Sequence, residues 1–237
     1  MRDRKCRKTR HGVPMRFAAD SLKTSTRIAL GYALAGSAYI LGSDRAFVWL
    51  PQEIASYQYF QTLKGLAFIQ LTALALWIVL RRALRAMDRR LEAAWAQRAP
   101  DTPLKSAEQA LILASIVEKE TGRAEDRAQI AGVFSNRLRA GMLLQTDPTV
   151  IYGLGEKFDG NLRKRDLQAD TPYNTYTRAG LPPTAIAMPG RAALLAAVQP
   201  AQTKALYFVA RGDGSSHFSA TLDEHNRAVN KYQRGQK

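Results

Sequence analysis

Two uncharged apolar runs, Ile28 to Ser43 (IALGYALAGSAYILGS) and Gly65 to Leu80 (GLAFIQLTALALWIVL), constrain this 237-residue chain more than any other feature. As helices rising about 1.5 Å per residue, each reaches roughly 24 Å, a little under the roughly 30 Å of a hydrocarbon core. Flanking Arg27, Lys64, Arg81 and Arg82 can extend their charges to the interface, and Trp49, Tyr57, Tyr59 and Trp77 suit that depth. The spacing predicts two membrane helices, at about 28–43 and 65–80, forming a hairpin over 28–82 behind a basic tail, 1–27. Two buried helices of a soluble domain are disfavoured because the second run has no polar face. A cleaved signal sequence is disfavoured because a long basic stretch precedes the first run and a second run follows.

Charge is divided unevenly. Residues 1–100 hold 17 Lys+Arg against 6 Asp+Glu, and residues 101–237 hold 18 against 14. Basic residues crowd before the first run and just after the second (Arg81, Arg82, Arg85, Arg89, Arg90), whereas the segment between the runs is nearly neutral. By the positive-inside rule both termini are cytoplasmic and 44–64 is a short outer loop. Basic residues beside membrane helices are the ordinary companions of anionic lipids, so membrane lipids are expected partners and nucleic acid is not. A 46% hydrophobic content excludes a wholly disordered chain. The single cysteine, Cys6, excludes an internal disulfide, and with only three histidines no metal centre or cofactor is expected.

Over residues 25–85 the strings YALAGSAYILGSDRAF and FQTLKGLAFIQLTALALWIVLRRALR resemble the two-helix membrane hairpin that precedes sensor domains in bacterial histidine kinases and diguanylate cyclases. No kinase or cyclase signature follows. The resemblance implies membrane residence alone.

From Ala83 the pattern becomes that of a mainly helical domain. Ala83–Gln97 reads as an amphipathic helix closed by the loop Arg98–Pro103, and Ser106-Ala-Glu-Gln109 matches a capping box opening a helix to about Thr121. At about 100° per residue, Ala110, Leu113, Ala114 and Val117 share a core stripe, with Glu118 and Glu120 on its two flanks and Lys119 pointing away. A carboxyl half-immersed in apolar surface keeps its proton near neutral pH, as a general acid must. The wheel does not separate the two. A further helix is predicted over 124–140, with Glu125 and Asp126 in its first turn and Gly141 past its end.

Next comes polar, loop-rich sequence, LLQTDPTVIYGLGEKF and DGNLRKRDLQADTPYNTYTRAGLPPTAIAMPG, a mixture poor for a core and suited to a groove that binds hydroxyls and stacks on sugar rings. A short helix over 191–198, two strands near 205–210 and 217–220 around a turn at 211–215, and a closing helix over 223–234 complete the reading. The fold class is therefore α+β: an N-terminal transmembrane helical hairpin, then a mainly helical domain, 83–237, with a small antiparallel sheet and long polar loops.

LILASIVEKETGRAEDRAQIAGVFSNRLRAGMLLQTDPTVIYGLG, DTPYNTYTRAGLPPTAIAMPG and LYFVARGDGSSHFSATLDEHNRAV, in that order, resemble the catalytic core of the endolytic murein transglycosylases of the MltG (YceG-like) family, over about residues 85–237. Between the hairpin and the VEKE helix this chain has neither the LysM-like module nor the acidic-aromatic segment usual in the family. The resemblance implies a carbon–oxygen lyase that cleaves the β-1,4 bond between N-acetylmuramic acid and N-acetylglucosamine in nascent glycan strands, leaving a 1,6-anhydro end. It implies peptidoglycan glycan strands as substrate, penicillin-binding protein synthases as partners, and residence in the bacterial inner membrane with the catalytic domain on its outer, periplasmic face. The positive-inside count argues for the opposite face.

The resemblance places the catalytic carboxyl on Glu118 of VEKE, with Glu120 as the fallback. It places Gln145, Thr146 and Asp147 of LQTDPT, and Asn174, Thr175 and Tyr176 of YNTY, along the glycan groove. Asn136, Arg137 and Arg139 read as structural or as contacts to stem-peptide carboxylates, and His225 as a packing residue. The second reading of the whole is a catalytically inactive or truncated fusion, a membrane scaffold for cell-wall synthases.

Overall fold

The computed structural model describes residues 16–45 and 52–235, with the side chains of 25–42, 59 and 61–235. The first fifteen residues of the basic tail, and Trp49, fall outside these, as does the side chain of Tyr57. The chain divides into two compact units between Arg89 and Arg90.

The first unit holds α1 (Arg16–Arg45) and most of α2 (Gln52–Ala96). Gln70 Nε2 donates to Ser37 Oγ at 3.3 Å and Trp77 Nε1 to Thr26 Oγ1 at 3.2 Å, so one helix advances as the other recedes. A Cβ on Gly36 would lie 2.7 Å from Cδ1 of Ile69, which marks where the helices meet closely. Leu30, Leu34, Phe68, Leu71 and Val79 are exposed. Among the described residues one helix, Gln61–Ala96, is long and apolar enough by length and composition to cross a membrane, and little of its apolar window is buried. A second crossing, over 28–43, is not shown. That run is helical, but three glycines, two serines and two tyrosines dilute its hydropathy.

In the second unit the core forms around α3 (Ala107–Glu120), which packs against α4 (Ala124–Arg139) and α7 (Arg191–Val198). Ser106 Oγ caps α3 by accepting from Gln109 N at 3.2 Å, while Gln109 Oε1 reaches back to Lys105 N at 2.8 Å. Every residue from Ala110 to Val117 is buried, a wider face than the predicted stripe, because α4 and α7 cover it and Ser115 Oγ receives Ile186 N at 3.0 Å. On α4, a Cβ at Gly132 would come within 2.8 Å of both Ala201 O and Thr203 Cγ2, so glycine lets the 201–203 segment lie directly on the helix. Asn136 Nδ2 fixes that segment further along, donating to Thr203 O at 2.8 Å and Ala205 O at 3.0 Å.

β1 (Tyr207–Ala210) and β2 (Ser216–Ser219) form an antiparallel hairpin in the register Tyr207–Ser219 to Ala210–Ser216. Phe208 meets Phe134 of α4 edge-on at 5.9 Å. α8 (Leu222–Val229), opened by a Thr221–Glu224 capping box, packs on the hairpin and continues as a short π-helical segment, Asn230–Arg234. The stretch read as loop contains two helices, α5 (Asp147–Leu154) and α6 (Lys164–Gln168). α5 starts where Pro148 presets the first turn and stops at Gly155, whose φ of 55° a side chain would resist.

Candidate active site

A cavity of about 570 Å³ opens between the C-terminus of α3, α4, the 144–147 loop, β1 and α8. Its walls include Glu120, Arg137, Gln145, Asp147, Tyr176 and His225. Glu120 ends α3. Burial pushes its carboxyl above the ordinary carboxylate range; the Thr146 hydroxyl, which donates to Oε1, pulls it down, and the Asp147 carboxylate pushes it up again. The position adds to this, because a helix C-terminus disfavours an anion.

Glu118, two residues earlier, takes another direction. Its Oε2 accepts from Gly190 N at 3.1 Å, just ahead of α7, and it does not line the cavity. The two flanks of the predicted stripe therefore serve different neighbours: one joins α3 to the start of α7, the other faces the space where a ligand fits.

The LQTDPT and YNTY segments are stitched together. Gln145 N donates to Thr175 O at 3.1 Å, Thr146 N to Thr175 Oγ1 at 3.1 Å, and the Thr149 and Thr175 hydroxyls meet at 2.9 Å. Gln145 reaches the cavity with a left-handed backbone, φ 51°. Thr146 stands at the N-cap of α5 but makes no side-chain cap bond there. Its hydroxyl goes to Glu120, so the helix gives up a contribution worth about 1 kcal/mol at this position. Tyr176 donates to Asp147 Oδ1 at 2.5 Å, and burial together with that carboxylate holds its phenol far up, so it stays protonated.

Asn174 and Thr175 do not reach the cavity. Asn174 is 0% exposed; its amide donates to Leu167 O at 3.0 Å and Ala169 O at 2.6 Å, and its oxygen accepts from Tyr176 N at 2.8 Å. These two residues shape the loop that presents Tyr176. Of the six groove residues expected from sequence, Gln145, Asp147 and Tyr176 line the cavity and Thr146 acts on its carboxyl.

The wall also holds residues outside that set of six, among them Arg137, which the sequence left as structural or as a contact to stem-peptide carboxylates. Arg137 lines the cavity from α4, and β1 contributes Tyr207 and Phe208. Arg137 lies over the Tyr207 ring at 5.1 Å, and His225 stacks on the same ring at 5.3 Å. Burial, then the charges of Arg137 and His217, lowers the His225 pKa. The signal for these residues was an NRLR string and a strand next to the closing helix; nothing local to either indicated a shared cavity.

The fold and cavity define a class: a helical domain in which one carboxyl, its pKa raised by burial, faces a polar groove. Over residues 74–231 the sequence matches the model of the YceG-like family, and the chain belongs to that family. It is 47% identical over 127 residues to an endolytic murein transglycosylase of Bacillus subtilis, an alignment covering 54% of this chain and 35% of the relative. It is 36% identical over 124 residues to an endolytic murein transglycosylase of Streptococcus pneumoniae, covering 50% of this chain and 22% of the relative. The chain thus spans about a third or less of the length of these curated relatives. Among solved structures, a yceG-like protein from Listeria monocytogenes superimposes with a TM-score of 0.57 at 37% identity, covering 67% of this chain and 50% of that one.

Proposed function

We propose that this chain is a membrane-anchored peptidoglycan lytic transglycosylase and that Glu120 is its acid–base residue. One observation carries the assignment: Glu120 faces the cavity with its pKa raised by burial, whereas Glu118 is engaged by Gly190 N outside it. The relatives' activity as endolytic murein transglycosylases supports the reaction class.

The reaction follows from a single carboxyl. Protonated Glu120 delivers its proton to the glycosidic oxygen as the bond to C1 of N-acetylmuramic acid breaks. The C6 hydroxyl of the same sugar closes on C1, and the Glu120 carboxylate takes its proton, which restores the acid and leaves a 1,6-anhydro end. No water is consumed, so the second carboxylate most glycosidases need is dispensable. Thr146 orients the carboxyl, while Gln145 and Tyr176 offer polar groups to sugar hydroxyls.

The substrate lies outside the inner membrane, and we place the second unit on that face, with α2 as the anchor and anionic lipid beside its Arg-rich end. Both helices of the first unit expose apolar side chains, which supports α1 lying in the bilayer beside α2. A cysteine at Lys157 in a Cys6→Ser background checks the face: an impermeant maleimide labels it in intact spheroplasts, or the assignment fails.

The activity test is mass spectrometry of uncross-linked glycan incubated with the full chain. Anhydro ends form with the unaltered protein and with Glu118→Gln, and fall by about 10³-fold with Glu120→Gln. The reverse pattern moves the acid to Glu118.

A further inference from the structure

Arg137 is a buried cation whose hydrogen bonds leave one edge open. It is 8% exposed, yet it lines the same cavity as Glu120. Nε donates to Leu206 O at 2.7 Å; Nη1 donates to Leu143 O at 3.2 Å and Leu144 O at 2.9 Å and approaches Gln145 Oε1 at 3.4 Å. The Tyr207 ring lies against one face. These contacts use Nε and Nη1. Among the described residues no group accepts from Nη2, which is not sealed from solvent, and Arg137 lines the cavity.

No carboxylate among the described residues lies within ion-pair distance of this guanidinium, although Glu120 and Asp147 share its cavity. Nor does Arg137 feature among the groups that set the Glu120 proton, which are Thr146 and Asp147. The cavity therefore has an acidic end and a cationic end. A buried charge held by carbonyl dipoles alone is incompletely compensated, and an arriving anion completes it. The open edge has a fixed direction, because the backbone carbonyls and the tyrosine prevent the guanidinium from swinging.

Resting on the glycan reading above, we propose that Arg137 is a specificity-determining residue that receives a carboxylate carried by the muramoyl sugar, through Nη2. The sugars of such a strand are otherwise neutral; its carboxylates sit on the lactyl ether of a peptide-free sugar or on an attached stem peptide. Holding either one at Arg137 sets which glycosidic bond reaches Glu120. A purely structural arginine satisfies the same carbonyls with no need of an edge facing the cavity.

The test uses the full chain in detergent, as Glu120→Gln so that the strands persist, with four probes: uncross-linked strands bearing stem peptides, the same strands with carboxylates converted to methylamides, and peptide-stripped strands with the lactyl carboxylate free or methylamidated. Amidation weakens Kd roughly tenfold or more, the loss expected for a charge-assisted bond. The lactyl carboxyl is amide-linked wherever a stem peptide is attached, so a loss on amidating the peptide-bearing strands assigns the carboxylate to the peptide, whereas a loss only on methylamidating the stripped strands assigns it to the lactyl group. With Arg137→Met added, amidation no longer changes Kd, and Arg137→Lys retains part of the effect. Equal Kd values for free and amidated strands with Arg137 in place, in the peptide-bearing and the stripped series alike, overturn the proposal, whether or not the methionine variant folds, and so does an undiminished amidation effect in a folded Arg137→Met. In the unaltered enzyme amidation raises KM and leaves kcat in place. Absence of anhydro product with every strand refutes the lyase reading instead, and the Kd comparison still decides the carboxylate subsite.

Discussion

The Thr146 hydroxyl donates to Oε1 of Glu120, joining residues 26 apart in sequence at the point where α3 ends and α5 begins. A hydrogen bond to the ionised form favours ionisation, so Thr146 opposes the burial that raises the Glu120 pKa. Asp147, the next residue, acts the other way through its charge. Adjacent residues thus set the acid in opposite directions.

This opposition predicts the pH profile. A general acid must start protonated, so activity falls on the alkaline side as pH rises through the Glu120 pKa. Thr146→Val removes the lowering bond, and the alkaline limb moves to higher pH with a lower plateau, since orientation is lost too. Asp147→Asn removes the raising charge, and the limb moves to lower pH. Rates of anhydro-end formation against pH for the three proteins check both shifts; shifts of the same sign would sink the assignment of the limb to Glu120. Tyr176, Arg137 and His225 share the cavity; burial holds the Tyr176 phenol up and lowers the Arg137 guanidinium and the His225 imidazole.

Glu120 also costs stability, with a definite pH dependence. Its folded pKa is raised above the ordinary 4.5, so the folded state holds the proton more tightly than the unfolded chain. The resulting stability is fully present below about 4.5 and is lost as pH rises through the folded value. Glu120→Gln does not ionise. It melts higher than the unaltered protein at pH 7, and the gap narrows toward pH 4; thermal melts at both pH values measure it, and a variant no more stable at pH 7 than at pH 4 relative to the parent contradicts the burial effect.

Asn174 separates shaping a loop from touching a substrate. Its side chain bonds three backbone carbonyls and one amide with no exposed surface, so Asn174→Ala leaves those groups unsatisfied. The loss is about 2–3 kcal/mol, read by denaturant unfolding, with activity falling in step as Tyr176 loses its place. A full-strength fold with selectively raised KM instead makes Asn174 a substrate contact.

The elements legible in the sequence were those with local chemistry. The Ser106 cap, the α4 span ahead of Gly141, and the strand–turn–strand before α8 each follow from residues within a few positions of one another. The distinction between Glu118 and Glu120 was not local: Gly190, 72 residues on, engages one, and Thr146 the other. Arg137 shows the same limit, since one of its acceptors, Leu206 O, lies 69 residues away. The polar crowding of the 145–176 region was visible, but polarity alone does not say whether an amide faces a ligand or, as in Asn174, its own backbone.

Gln145 joins strain to function. Its φ of 51° places a branched-free but Cβ-bearing residue in the left-handed region, at roughly 1–2 kcal/mol, while its side chain lines the cavity and approaches Arg137 at 3.4 Å. Gln145→Gly relieves the strain and removes the side chain together; Gln145→Ala removes the side chain and keeps the strain. The glycine variant is expected to match or exceed the parent in stability, because relief offsets the added freedom of the unfolded chain, and to be about 1 kcal/mol more stable than the alanine variant. Both lose activity by about tenfold, the order of one misplaced positioning contact. Urea unfolding and anhydro-end rates on the three proteins decide it: a glycine variant less stable than the alanine one shows that the 145 backbone is not strained, and an active alanine variant removes Gln145 from the groove.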